Sequence, residues 1–256
     1  MKELINRQSV NPKLKYLPIF HSCDGYFFRD IIKKKTIEVT KCPVFKGEKL
    51  NYFFYGRPAF KSKTGDTNSK LSSFLPCSFI LDIELLDSIK RISPFDTGGF
   101  ERGFNNQFIH HKMKIENFLL EPDILTTKKI ITLFYDLNIN YVKRKPKIDI
   151  KIDSMEFEAE SYHAMIVDKG VTESDDRKET IELQSEVNIN LETKILKAVV
   201  VPSSFIQNKH LQSLKKKIGF DIIHYDDFGQ QSVHFYSEVL KLTREFMMSK
   251  KVLEHD

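Results

Sequence analysis

The apolar residues of this chain fall in short runs. YLPIF at 16–20, LNYFFY at 50–55, LPCSFILDI at 75–83 and LKAVVVP at 196–202 each hold between five and nine residues. Runs of that length, rich in aromatic and β-branched residues and cut off by turn residues, read as buried strands rather than helices. Gly56-Arg57-Pro58 ends the second run abruptly, and Pro202 ends the fourth. IEV near residue 37 and FDIIHY at 220–225 add shorter strands. IELQSEVNINL at 181–191 alternates in places, which predicts a strand with a bulge or turn inside it.

Between these runs the spacing becomes helical. Asp24 is placed to cap a helix carrying Tyr26, Phe27, Ile31 and Ile32, which Lys33–Lys35 would close favourably. Asp123 is placed to cap a helix over about 124–136. ELLDSIKRI at 84–92, Ser203–Lys217 and residues 230–252 also have helical spacing. Residues 1–13 are polar without periodicity and predict a flexible arm. Residues 61–73, 94–104 and 170–180 predict loops, the second with buried aromatics, and KRKPKIDIKID at 143–153 alternates only weakly. Strands lie close together without a regular strand–helix alternation, so the expected class is α+β. The expected organisation is a single domain over 14–256, with a central region, about 61–180, that no pattern places.

Composition sets the outer limits. The chain has 256 residues, 41% apolar and 29% charged, which supports a substantial core and excludes wholesale disorder. No apolar run approaches the roughly 18 residues of a membrane-spanning helix. The basic N-terminus has no apolar stretch behind it, unlike a signal peptide. Three cysteines, Cys23, Cys42 and Cys77, do not make a disulfide framework. Together these features predict a reduced, cytoplasmic protein with no membrane partner. A net charge of +5 permits an anionic ligand or nucleic acid without demanding one. Solvated helix ends and loops explain the clusters Lys33–Lys35, Lys143–Lys147 and Lys215–Lys217 as well as phosphate binding does.

Familiar site motifs are missing. There is no GxxxxGK[ST], GxGxxG, GxSxG or paired-ligand zinc spacing. One acidic stretch stands out: Asp149, Asp153, Glu156, Glu158 and Glu160 could serve a metal-dependent nuclease, because spacing of two would put the three glutamates on one strand face. A solvent-facing polar face is the plainer reading. Single residues at strand ends give a second set. His21 and Ser22 close the first strand, Tyr52 and Tyr55 flank the second, Arg57 follows it, and Glu182 or Glu186 opens a later one. A histidine and a flat ring suit a nucleoside, and arginine suits a pyrophosphate or carboxylate.

LPIFHSCDGYFFRDIIKKKTIE resembles the opening of ADP-ribosyltransferases, where a strand ends in His plus Ser or Thr and a helix leads to a second short strand. Within that superfamily, LNYFFYGRPAF is most similar to a segment of the DNA ADP-ribosyltransferase toxins, and 181–202 is similar to their glutamate strand followed by an apolar strand ending in Val-Pro. The resemblance spans about 14–60 and 180–206. It implies a split, strongly bent β-sandwich with flanking helices and NAD as substrate in the cleft. His21 and the Ser22 backbone would then hold the nicotinamide riboside, and Tyr52 or Tyr55 would stack on nicotinamide. Arg57 would contact phosphates or the acceptor. Glu182, or else Glu186, would stabilise the developing cation. Asp96, in the loop PFDTGGFERGF, would lie near the nicotinamide. The implied role is modification of a nucleic acid or protein, as in a toxin or phage-defence effector, with an antitoxin or regulator as a further partner. Two alternatives stand beside it: a non-catalytic nucleotide- or partner-binding sensor of the same fold, and the nuclease.

Overall fold

The computed structural model describes residues 1–60, 69–103, 106–168 and 176–253. In chain order it contains α1 (Lys2–Arg7), β1 (Ile19–Asp24), α2 (Gly25–Lys34), β2 (Thr36–Ile37), β3 (Thr40–Lys41), β4 (Lys49–Tyr55), β5 (Pro76–Leu81), β6 (Arg91–Ser93) and α3 (Thr97–Glu101). There follow α4 (Ile124–Phe134), α5 (Asn138–Val142), α6 (Phe157–Val167), β7 (Glu182–Ser185), β8 (Ile189–Asn190), β9 (Leu196–Pro202), α7 (Lys209–Ile218), β10 (Asp221–Tyr225) and α8 (Tyr236–Ser249). The main sheet runs β10-β9-β5-β1-β4-β7-β6, with β3 paired to β4, and it is not closed. Only β9 and β10 pair in parallel among the described strands; the other ladders are antiparallel. The class is mixed α and β, consistent with α+β. No helix among the described residues is long and apolar enough to cross a membrane.

The continuous apolar runs lie in the middle of this sheet. All six residues of β5 are buried, and so are all but Lys197 in β9. Strands covered on both faces need apolar side chains at every position, which is why these runs do not alternate. β5, expected from the run at 75–83, falls in the central region that the resemblance leaves without a counterpart, and it lies between β1 and β9.

One ladder is unusually short. β1 pairs with β5 through six registered residue pairs, from Ile19↔Leu81 to Asp24↔Pro76. It pairs with β4 through only two, Ile19↔Tyr55 and Phe20↔Phe54. Beyond Phe20, β1 keeps a ladder only with β5, while β4 continues against β7 from Phe54↔Glu182 to Asn51↔Ser185. The sheet therefore forks between β1 and β4, and His21 and Ser22 are the first residues past the fork.

The helix ends follow local chemistry. Asp24 accepts a hydrogen bond from the Phe27 amide at 3.1 Å, capping α2. Asn208 caps α7, which closes on three lysines and Gly219 at φ +78°, a conformation that suits glycine. Asp123 caps α4 through the Leu125 amide.

Several expectations are corrected. Residues 1–13 were expected to be a flexible arm; Lys2–Arg7 form α1 instead, with Ile5 buried and α1 packed on α4. ELLDSIKRI is not a helix but a 3-10 turn at Ile83–Leu85 followed by edge strand β6. Residues 143–153 form no strand. On α2 the inward side chains are Phe28 and Ile32, whereas Tyr26 and Phe27 are exposed. The loop expected at 61–73 falls largely outside the described residues.

Gly25, the first residue of α2, has no room for a side chain. A Cβ there would lie 2.4 Å from the Ser72 carbonyl oxygen and 2.9 Å from the Phe205 ring. Backbone oxygen cannot move aside as a flexible side chain can, so Gly25→Ala is expected to destabilise the fold by about 2–3 kcal/mol. An unchanged thermal midpoint would contradict this contact.

Candidate functional site

β1, β4 and β7 are neighbours in the sheet, so the segments carrying His21, Tyr52 and Glu182 lie side by side although they are far apart in the chain. The register sets their faces. Antiparallel partners share a face, and successive residues alternate. Phe54 opposes Glu182, and Glu182 opposes Ser93. Tyr52 opposes Gln184 on the same face, and Gln184 opposes Arg91.

Glu182 is fully buried. Its Oε1 accepts hydrogen bonds from Thr97 Oγ1 at 2.8 Å and Gln184 Nε2 at 2.7 Å. Its Oε2 accepts from no donor among the described residues. Burial, then the nearby Asp96 carboxyl, raises Glu182 well above the usual carboxylate range. Asp96 itself is 3% exposed. Its Oδ1 caps α3 by accepting from the Gly98 amide at 3.0 Å, and its Oδ2 lies 3.1 Å from Nη1 of buried Arg177. The Asp96 amide also donates to the Arg177 carbonyl oxygen. The loop expected at 94–104 thus contains a short helix whose first turn covers Glu182.

Arg57, expected to contact phosphates or the acceptor, is 1% exposed and turned into the protein. Its Nη2 donates to the Glu179 carbonyl oxygen at 2.9 Å and to Thr180 Oγ1 at 2.8 Å, and its guanidinium lies 4.9 Å from the centre of the Tyr141 ring. The Glu179 carboxylate is bound by Arg144. The expected exposed loop at 170–180 is therefore buried at Arg177, Glu179 and Thr180; residues 169–175 lie outside the described residues.

His21 and Tyr52 meet at the fork. His21 Nδ1 lies 3.1 Å from the Tyr52 carbonyl oxygen, and its ring packs between Phe53 and Phe79. Burial lowers its pKa below the ordinary imidazole value, which favours the neutral ring. Ser22 Oγ lies 3.2 Å from Ser78 Oγ across β5. Tyr52 Oη donates to Cys42 Sγ at 2.7 Å, and burial is the main reason its pKa is raised, with Glu182 and Asp96 adding to it.

Tyr55 and Glu186 are not part of this group. Tyr55 is a core residue whose Oη accepts from the Leu17 amide at 2.9 Å, so its ring cannot stack on a ligand. Glu186 is exposed and pairs with Lys90 at 2.6 Å, which leaves Glu182 as the glutamate at the centre of the cluster. The acidic stretch is also rearranged. Glu156, Glu158 and Glu160 do not share a strand face, because α6 begins at Phe157, and Glu156 and Glu158 both lie near the Met1 amino nitrogen. Glu156 is held by the Met1 amino nitrogen at 2.7 Å and by Arg7. No three His, Cys, Asp or Glu side chains among the described residues gather as metal ligands would, Asp149 and Asp153 included. The basic clusters are partly neutralised, with Lys34 on Glu38 and both Lys35 and Lys217 on Glu192.

Thr97, Gln184 and Arg177 belong to the cluster and were missed in the sequence. Gln184 had a usable signal, since a residue two positions after Glu182 on a strand shares its face. Arg177 had none, because it sits in a charged stretch that normally faces water. No protein-family model matches this chain, and no curated protein is similar to it.

Proposed function

We propose that the protein is an ADP-ribosyltransferase-like enzyme that takes NAD as substrate and modifies a nucleic acid or protein, on a bent sheet split at the β1–β4 fork. One observation carries the reading: β1, β4 and β7, each from one of the three segments that resemble the family, are adjacent strands, with buried Glu182 on β7, two strands from β1, where His21 and Ser22 lie past the fork. Ser22 lies past the last β1–β4 pair, so its backbone can receive a planar amide. His21, fixed by the Tyr52 carbonyl, turns its other ring nitrogen toward a ribose hydroxyl. Glu182, once ionised, favours the positive charge that develops on ribose as the glycosidic bond breaks and nicotinamide leaves with the electron pair. Arg57 acts at a distance, through the 179–180 backbone that leads into β7.

The test is NAD⁺ consumption by wild type and Glu182→Gln, with and without single-stranded DNA, RNA and cell lysate. Wild type is expected to consume NAD⁺, with the variant slower by about 10²-fold or more. Equal rates in both proteins would remove Glu182 from the chemistry.

Complete burial of Glu182 and Arg57 favours one second reading, a non-catalytic sensor of the same fold. Heat of NAD⁺ binding in calorimetry without any turnover would select it.

A further inference from the structure

Two of the most enclosed charges in the protein meet where no ordinary core needs them. Arg177 is 2% exposed and Asp96 3%, and Arg177 Nη1 lies 3.1 Å from Asp96 Oδ2. Glu182 adds a second carboxyl at 0% exposure, with an oxygen that receives no hydrogen bond among the described residues. Enclosing an ion pair gives little net stability compared with apolar packing of the same volume, because desolvation offsets the attraction. A buried guanidinium held by the Asp96 carboxyl, with the Glu182 carboxyl next to Asp96, is also the geometry of a binding site: a planar cation with five donors set against carboxylate acceptors. The cation here is delivered by the chain itself. Arg177 lies in a 3-10 turn, Asp176–Glu179, only a few residues before Glu182 in β7. The same turn is held from its other side by Arg57 and Arg144.

We propose that Asp96 and Glu182 form a guanidinium-binding site, that Arg177 is its tethered occupant, and that access to Glu182 requires Arg177 to leave. The site accepts a free guanidinium group when the Arg177 side chain is absent. Departure of Arg177 also frees the strap at 177–180 to move off both Asp96 and Arg57. The guanidinium site stands on the geometry alone; its consequence for turnover rests on the transferase reading.

The experiment compares wild type with Arg177→Ala, using methylguanidinium as the probe and ethylammonium as the control cation. Methylguanidinium at about ten times its dissociation constant is expected to raise the Arg177→Ala melting temperature by about 3 °C, with no rise in wild type. Ethylammonium is expected to do markedly less. Carbodiimide labelling of Glu182, located by peptide mass spectrometry, is expected to be about tenfold faster in Arg177→Ala and slowed again by methylguanidinium. Arg177→Gln, which keeps polar donors and bulk, serves if the alanine variant does not fold, and is expected to label faster than wild type. A folded variant whose Glu182 labels as slowly as in wild type would overturn the proposal. So would stabilisation by ethylammonium equal to that by methylguanidinium. NAD⁺ turnover is measured in the same samples. Specific methylguanidinium binding without turnover in any sample would uphold the site and reject the transferase reading.

Discussion

Arg57→Ala is expected to melt about 10 °C below wild type. The side chain makes two charge-assisted hydrogen bonds, to the Glu179 carbonyl oxygen and Thr180 Oγ1, in a place with 1% exposure. Bonds of that kind contribute about 1.5–3 kcal/mol each, so losing both costs about 3–6 kcal/mol. For a chain of this size each kcal/mol moves the midpoint by about 2–4 °C. Arg57→Lys is expected to fall between the two, because an ammonium does not reproduce the guanidinium fork or its contact with the Tyr141 ring. An arginine that only reached for phosphates in an open cleft would behave differently. Its alanine variant would keep the wild-type melting temperature and lose affinity for NAD⁺, and that result would return Arg57 to the binding site.

Glu182→Gln is expected to be more stable than wild type at pH 8, with the difference shrinking toward pH 5. The cause is the raised pKa of Glu182, set first by burial and then by the Asp96 carboxyl. A carboxyl whose pKa is higher in the folded than in the unfolded protein favours folding while it is protonated. That contribution is full below the unfolded value, near pH 4.3, and is lost as pH rises through the folded value. Glutamine mimics the protonated form at every pH. It keeps an acceptor for Thr97 and Gln184 and offers an amide where Oε2 has no donor. The expected gain at pH 8 is about 1–3 kcal/mol, the usual cost of an unsatisfied buried polar group. Thermal melts of both proteins at pH 5, 6, 7 and 8 give the answer. A constant difference across that range would mean that Glu182 ionises in the folded protein as it does in water.

Much of the sheet was legible because its strands are covered on both sides. A strand such as Pro76–Leu81 is buried at every position, and its mostly apolar run, with Ser78 the one polar side chain, is visible without any structure. Asp24 and Asp123 mark helix starts because their side chains bond the nearest free amides, an effect contained within three residues, whereas the helix expected from Ser203 begins only at Lys209, capped by Asn208. The failures have equally local causes. Tyr26 and Phe27 sit at helical spacing with Ile31 and Ile32, yet α2 rests on Phe28 and Ile32, and spacing alone does not reveal which stripe meets the sheet. Residues 1–13 look like an arm because their buried anchors, Met1 and Ile5, are too few for periodicity to register.

The candidate site divides in the same way. Glu182 and Gln184 share a face by strand alternation, which a sequence expresses. Burial of Arg57, Arg177 and Glu179 depends on partners elsewhere in the chain, and a charged stretch reads as surface until those partners are known. Glu186 competed with Glu182 in the sequence, with Glu182 preferred for its distance from LKAVVVP. What separates them is that β7 ends at Ser185, one residue short of Glu186.

The two-pair ladder between β1 and β4 has a mechanical consequence. It joins a half made of β1, β5, β9 and β10 to a half made of β4, β6 and β7 through a neck at Ile19–Phe20 and Phe54–Tyr55. A wedge entering beside Ser22 meets no β1–β4 ladder bonds, only the His21–Tyr52 contact, so the halves can spread there while each remains intact. The neck then works as a flexure, and a small rotation about it changes the gap at Ser22 more than the spacing within either half.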